Sequence, residues 1–129
     1  MSDVVPAEAE RLLTSEPVIA HLATCVDDRP HVAPVWYHYA DGVVEVLTTG
    51  RKLANVRANP RVAISIQKDV AGRTEWMVTL KGTATVVEDE AAMRAATRRI
   101  NSKYGADEEA WSGNTLVRID VGSATYRTY

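Results

Sequence analysis

The sequence contains no phenylalanine, only one cysteine and no long apolar run. The scarcity of these features excludes several classes of protein. The single cysteine, Cys25, cannot form an intramolecular disulfide, which is typical of proteins in a reducing cytoplasm. No apolar stretch approaches the roughly 20 residues of a membrane-spanning helix. The acidic N-terminus lacks the apolar region of a signal peptide. We therefore expect a cytoplasmic protein that does not bind a membrane.

The sequence also lacks an excess of positive charge. Its 15 basic and 17 acidic residues give a formal net charge of −2, which argues against a nucleic-acid-binding protein. The 129 residues are 46% hydrophobic and 25% charged, as in a globular chain with a modest core. We interpret residues 1–129 as one domain. Three Trp and five Tyr supply the aromatic side chains, and both types are common at interfaces and ligand walls.

Familiar catalytic and metal-binding patterns are missing as well. The three histidines, His21, His31 and His38, share no metal-ligand spacing on one element, so no zinc site is predicted. His21 is interpreted as a core or interface residue, and Cys25 as an inert thiol. The sequence has no Gly-x-Ser-x-Gly, Walker A or Gly-x-Gly-x-x-Gly motif. No catalytic residue is assigned, and an enzyme with this sequence would rely on a bound cofactor.

Short β-prone segments separated by turn residues make up most of the chain. Pro34 inside the second predicted strand indicates an edge or a bulge, Asp41-Gly42 indicates a hairpin, and Gly82 indicates another bulge. Helices are predicted over residues 6–13 and 89–104, with a short one between residues 53 and 59. Strands are predicted over 18–25, 31–39, 43–47, 61–67, 74–87, 115–121 and 124–129. Six or seven strands with hairpin spacing and few short helices predict a mainly β fold, a small closed or half-closed antiparallel barrel.

One turn stands out chemically. The strand that ends at Leu47 runs into Thr48, Thr49 and Gly50, and then into two cations, Arg51 and Lys52, at the start of a short helix. The positive end of the helix dipole disfavours cations unless an anion joins them. Backbone N–H groups, two hydroxyls and two cations together suit a phosphate. The residues alone leave two interpretations open, a phosphate site and a solvated basic turn.

Three stretches together resemble the pyridoxamine 5′-phosphate oxidase-like family, the split β-barrel flavin-binding proteins. They are residues 22–24 with 29–37, the basic turn from 47–52 through Asn59-Pro60, and the long strand 76–87 with Lys81-Gly82-Thr83-Ala84. The resemblance covers roughly residues 15–125. Each stretch is weakly specific alone, whereas the ordered set is far more specific.

The resemblance implies a six- to seven-stranded antiparallel split β-barrel that forms a homodimer, with FMN at the subunit interface. It implies that Arg51 and Lys52 bind the cofactor phosphate and that Thr48 and Thr49 assist them. The strand that would follow the flavin ring and ribityl chain comprises His31, Val32, Ala33, Pro34, Val35 and Trp36.

Two departures separate this chain from the oxidase itself. Met77 falls near a position where the oxidase has a glutamine that faces the ring, and the oxidase has a longer C-terminus that holds its product. The resemblance therefore implies an FMN-dependent oxidoreductase with an unassigned small-molecule substrate. Two alternatives stay open: a reductase that uses the deazaflavin coenzyme F-420, and a non-catalytic binder of flavin or haem. The residues also allow the interpretation of a small barrel that binds single-stranded nucleic acid. The clustering of basic residues around the basic turn alone argues against it.

Overall fold

The computed structural model describes residues 3–129, which form three helices and seven strands. The helices are α1 (Ala7–Leu13), α2 (Gly50–Ala58) and α3 (Glu90–Tyr104). The strands are β1 (Ala20–Val26), β2 (Arg29–Val35), β3 (His38–Ala40), β4 (Val43–Thr48), β5 (Arg61–Val70), β6 (Arg73–Val87) and β7 (Thr115–Thr128). None of the three helices is long and apolar enough to cross a membrane.

All seven strands belong to one antiparallel sheet with the order β2-β1-β5-β6-β7-β4-β3. The two ends of the order, β2 and β3, do not pair with each other, so the sheet curls without closing. This open arrangement is a split barrel, and it confirms the predicted fold class. Pro34 lies in β2, at an edge, as its missing N–H donor requires.

The core lies inside the curled sheet because alternate residues of the central strands point inward. Leu22, Ile64, Ile66, Val78 and Leu80 are each at most 1% exposed. The helix α1 covers one end of this core with Leu12 and Leu13. The buried hydroxyl of Tyr37 donates to the carbonyl oxygen of Leu13 at 2.7 Å, which ties α1 to the β2–β3 connection.

Two predicted strand boundaries are wrong. The strand predicted over residues 31–39 is divided, because the fully buried Tyr37 leaves the sheet and its N–H donates to the Tyr104 hydroxyl at 3.2 Å. The strands predicted over 115–121 and 124–129 form one strand, β7. Lys81 pairs with Ser123 and Gly82 with Val121, so the predicted bulge at Gly82 exists, and its additional residue is Gly122.

The helix predicted over residues 89–104 is confirmed. Asp89 accepts a hydrogen bond from the Ala92 N–H at 2.8 Å, and Gly105 ends the helix with a φ of 69°. Arg99 lies on the exposed side of α3, and its guanidinium also contacts the buried Glu45. His21, interpreted as a core or interface residue, lies outside the core because it is exposed, and its place at an interface stays a prediction.

Glu45 forms the ionic centre that holds α3 against the sheet. It is 6% exposed, accepts from Arg99 at 2.8 and 3.0 Å and from Arg118 at 3.0 Å, and lies 3.5 Å from His38 Nδ1. Burial raises the pKa of Glu45, but hydrogen bonds from Arg99 and Arg118 outweigh that effect and lower it below its usual value. The carboxylate thus stays charged and fixes α3 beside β4.

Replacing Glu45 by glutamine should lower the free energy of unfolding by about 1.5–3 kcal/mol at neutral pH, the size of a charged hydrogen bond. A carboxylate whose pKa falls on folding stabilises the fold above its unfolded pKa, and the contribution disappears as the pH drops through the folded pKa. The difference between parent and Glu45→Gln should therefore shrink below about pH 4. Urea titrations between pH 3 and pH 7 measure it, with the exposed Glu109→Gln as control. A difference that does not change with pH would contradict this account.

Candidate cofactor site

A mainly apolar cleft of about 460 Å³ lies beside the basic turn and is here called the main cleft. It lies between the end of β2, the junction of β4 with α2, and α3. Its lining comprises Ile19, Pro34, Val35, Trp36, Leu47, Thr48, Thr49, Lys52, Ile100, Trp111 and Asn114. Most of these side chains are apolar, and the polar groups gather around Lys52. The cleft therefore suits a ligand with a flat apolar part and an anionic group.

The polar end of the main cleft follows from the local sequence. β4 ends at Thr48, Thr49 is extended, and Gly50 turns the chain into α2 with a φ of 64° that favours glycine. The Thr49 side chain makes no capping hydrogen bond, so no cap side chain satisfies the first N–H groups of α2. Lys52 forms no ion pair with any side chain of residues 3–129. Unpartnered donors and a cation at a helix N-terminus together attract an anion.

An aromatic stack builds the opposite wall. Trp36 lies parallel to Tyr104 with ring centroids 4.6 Å apart, and Trp111 meets Trp36 edge-on at 6.0 Å. The Tyr104 hydroxyl donates to the carbonyl oxygen of Val18 at 2.7 Å, which fixes its ring. Trp36 thus has one face covered by a ring from α3, and its position is set before any ligand binds.

Lys103 supports this wall from behind. Its ammonium lies 3.3 Å from the centre of the Tyr37 ring and donates to the Tyr37 carbonyl oxygen at 3.0 Å. Burial lowers the pKa of Lys103 to about 8. The cation over the ring holds α3 against the β2–β3 connection, and so helps to fix Tyr104 under Trp36.

The sequence analysis missed five residues of the main cleft, namely Trp111, Ile19, Leu47, Ile100 and Asn114, and Trp111 is the largest of them. It is 57% exposed, has a φ of 61°, and belongs to the loop after α3. The buried Asn101 side chain holds that loop by donating to the carbonyl oxygens of Glu108 at 3.1 Å and Ala110 at 2.7 Å. No periodicity marks Trp111, because an α3 side chain positions its loop.

A second cleft of about 360 Å³ lies on the other side of the α2 N-terminus. Its lining comprises Val26, Asp27, Arg29, Pro30, His31, Arg51 and Asn55. Asn55 donates to Thr24 Oγ1 at 3.0 Å, and Asn59 donates to the Cys25 carbonyl oxygen at 2.9 Å. These bonds hold α2 against β1 and so place Arg51 above the β1–β2 hairpin.

The predicted cofactor-binding residues do not all line one cleft. Six of them line the main cleft, namely Thr48, Thr49, Lys52, Pro34, Val35 and Trp36. Arg51 and His31 line the second cleft, although Arg51 is adjacent to Lys52 in the sequence. Val32, which is 65% exposed, and Ala33 lie outside the lining of both clefts. Among residues 3–129, no group of three or more His, Cys, Asp or Glu side chains could hold a metal ion.

Solved structures of several proteins share this fold. A FAD-binding protein from Mesorhizobium loti superposes with a TM-score of 0.77 and 23% identity, covering 95% of this chain and 93% of that one. An F-420 reductase gives a TM-score of 0.73 and 22% identity, covering 89% and 94%. The haem storage protein HutZ from Vibrio cholerae gives 0.77 and 18%, covering 97% and 94%. At these identities the likeness establishes the fold.

The sequence itself gives the family. No curated protein sequence matches the chain significantly. The family described as pyridoxamine 5′-phosphate oxidase matches residues 6–128, which is nearly the whole chain. This match agrees with the open seven-stranded sheet and with the ordered stretches around the two clefts. The chain belongs to the pyridoxamine 5′-phosphate oxidase family.

Proposed function

We propose that this protein is an oxidoreductase that binds FMN in the main cleft and acts on a small molecule. The observation that carries the proposal is the polarity of the cleft. An aromatic and aliphatic wall faces the space beside Lys52 and the unpartnered α2 N-terminus. A flavin mononucleotide has the same polarity, with a flat ring system at one end and a phosphate at the other. When bound, the flavin supplies hydride transfer at its central ring.

In this proposal, the polar end holds the phosphate. Lys52 contributes a point charge, and the first N–H groups of α2 donate hydrogen bonds along the helix dipole. The hydroxyls of Thr48 and Thr49 lie at the same end of the cleft and assist. Arg51 approaches the helix start from the second cleft and adds positive charge there.

The apolar wall holds and shields the ring. Pro34, Val35, Trp36 and Ile100 exclude water from this part of the cleft. Lys52 is the one titratable side chain among the described residues that line the main cleft. The side chains of this chain therefore position the ring and keep it dry, and they place no acid or base beside it.

We propose a homodimer in the cytoplasm with a cofactor between the protomers. The edge strand β2 exposes Val32, and the rim of the main cleft exposes 41% of Ile19, so a second copy would cover apolar surface at the open side of the cleft. The free thiol of Cys25 is compatible with a reducing compartment.

Two other cofactors, the deazaflavin coenzyme F-420 and haem, are considered as ligands of the main cleft. The deazaflavin coenzyme F-420 also offers a phosphate to Lys52, and the F-420 reductase of this fold supports it as the alternative. Haem is disfavoured, because the lining of the main cleft has no histidine, cysteine, tyrosine or methionine to ligate iron. A non-catalytic flavin carrier would use the same cleft, so turnover must separate it from an enzyme.

Size-exclusion chromatography with light scattering and absorbance detection tests cofactor and assembly together. We expect twice the chain mass of 14.1 kDa, co-eluting with the two absorbance bands of a flavin after incubation with FMN. A single violet-blue band in protein as purified would indicate the deazaflavin, and a Soret band would indicate haem. A monomer mass with FMN present would contradict the dimer. Steady oxidation of reduced FMN protein by an added acceptor would distinguish an enzyme from a carrier.

A further inference from the structure

A third cleft of about 290 Å³, here called the rear cleft, lies between the segment 14–17 after α1, the strand β3 and the helix α3. It shares no lining residue with the main cleft or the second cleft. Its lining comprises Leu13, Thr14, Ser15, Glu16, Pro17, His38, Tyr39 and Lys103. A small molecule can therefore enter the rear cleft without displacing a ligand from the other two.

The ammonium of Lys103 is the charge in the rear cleft that lacks a counter-ion. Lys103 forms no ion pair within residues 3–129. Glu16, the acidic residue of the lining, pairs with Lys68 at 2.9 Å. Burial is the main cause that lowers the pKa of His38, which lies 3.5 Å from Glu45, so its imidazole is neutral at neutral pH. An unneutralised ammonium in a cleft attracts a small anion.

The surroundings of Lys103 also make its amine nucleophilic. Its Nζ atom lies 3.3 Å from the centre of the Tyr37 ring and 5.3 Å from that of Tyr104, and it donates to the Tyr37 carbonyl oxygen at 3.0 Å. Burial among these groups lowers the pKa of Lys103 to about 8. Roughly one such amine in ten is neutral at pH 7, against roughly one in 2,500 for an ordinary lysine. The neutral amine is the form that attacks an electrophilic carbon.

We propose that Lys103 is a modification site, acylated on Nζ by a small acyl phosphate that enters the rear cleft. The Nζ lone pair attacks the acyl carbon, a C–N bond forms, and the bond between that carbon and the phosphate oxygen breaks. Inorganic phosphate leaves with the electron pair of the broken bond. The proton lost from the nitrogen ends on this phosphate, directly or through the neutral imidazole of His38. The reaction consumes no oxidant or reductant, and it requires no bound flavin.

Acylation of Lys103 would act on the main cleft from behind. It replaces the ammonium over the Tyr37 ring by a neutral amide, and so removes the cation that holds α3 against the β2–β3 connection. Tyr104 follows Lys103 in α3 and stacks on Trp36 with ring centroids 4.6 Å apart. The modification therefore loosens the ring that supports the Trp36 wall.

The test compares acylation rates within the folded parent protein. After incubation with acetyl phosphate at pH 7.5, peptide mass spectrometry gives the rate at each lysine of the chain, namely Lys52, Lys68, Lys81 and Lys103. Lys103 should react about 10-fold or more faster than Lys81, because its larger neutral fraction outweighs its partial burial. Lys81 is the matched control for access, since it is exposed and forms no ion pair within the described residues. Lys68 is the control for pairing, because its hydrogen bond to Glu16 raises its pKa.

Unfolding shows whether the rear cleft causes the selectivity. In guanidinium chloride the lysines should react at similar rates, because the cleft no longer exists. A folded protein in which Lys103 reacts no faster than Lys81 would overturn the proposal. The same preference for Lys103 in folded and unfolded protein would overturn it as well, because the neighbouring sequence would then be the cause.

Two variants test the effect on the main cleft. Lys103→Gln, which has no charge, should reduce the near-UV circular dichroism of the Trp36–Tyr104 stack, whereas Lys103→Arg should retain it because the cation remains. Equal near-UV spectra for the parent and Lys103→Gln would overturn the link between Lys103 and the Trp36 wall. Far-UV circular dichroism shows whether each variant is folded.

Discussion

Replacing Lys52 by alanine should weaken FMN binding by about 10-fold to 150-fold and leave riboflavin binding nearly unchanged. Riboflavin lacks the phosphate and so never contacts the Lys52 charge. A phosphate monoester carries between one and two negative charges near neutral pH and offers three acceptor oxygens. Lys52 is half-buried in the main cleft and forms no ion pair with a carboxylate of the described residues. Its interaction with the phosphate is therefore poorly screened.

Fluorescence titrations with both ligands measure this difference. Lys81→Ala is the matched control, since Lys81 is an exposed lysine of β6 outside the main cleft. Arg51→Ala should weaken FMN in the same direction, because Arg51 starts the same helix turn. Rising salt should weaken FMN binding more in the parent than in Lys52→Ala. If both ligands lose affinity equally in Lys52→Ala, the basic turn shapes the fold and does not bind the phosphate.

Replacing Gly82 by alanine should destabilise the protein by about 3 kcal/mol, the upper end of the cost of inserting a methyl group into a packed site. A Cβ atom at Gly82 would lie 2.3 Å from the carbonyl oxygen of Asp120 and 3.0 Å from its carbonyl carbon. Both atoms belong to the backbone of β7, which is paired with β6 and with β4 and cannot move aside freely. The close approach itself requires glycine here.

Gly122 supplies the matched control from the same bulge. A Cβ atom there meets only the Lys81 carbonyl oxygen, at an ordinary contact distance of 3.6 Å, so Gly122→Ala should change stability far less. Urea unfolding of the two variants compares their free energies directly. Similar losses for Gly82→Ala and Gly122→Ala would mean that general flexibility of the bulge matters, and that the contact with Asp120 does not.

Local sequence signals were sufficient for much of the fold. Pro34 cannot donate to a neighbouring strand, and it lies in the edge strand β2. Asp41 and Gly42 both adopt the positive φ values that a tight hairpin needs. Asp89 and Gly105 bound α3, as their capping chemistry predicts. In each case a residue restricts the backbone within a few positions, and distant contacts are not needed to decide the outcome.

The order of chemical groups in the basic turn could also be predicted from neighbouring residues. A strand and two hydroxyl residues lead into a helix as predicted, because a helix start depends on adjacent residues. The helix α2 begins at Gly50, before the predicted residue 53, so the glycine and both cations belong to its first turn. Whether these groups bind a phosphate stays a prediction. The family followed from the same ordered stretches.

Only the tertiary structure decided which of these groups face the same space. Arg51 and Lys52 are neighbours in the chain, but the first turn of α2 sends them to different clefts. Trp111 joins Trp36 because Asn101 holds its loop, and Arg99 contacts Glu45 because this buried carboxylate lies beneath α3. These contacts join residues far apart in sequence, where neither periodicity nor capping carries information. The sequence alone determined most strands, the hairpin turns and the chemistry at the helix start. The division of the strand at Tyr37 and the walls of the site were determined by packing of the helices on the sheet.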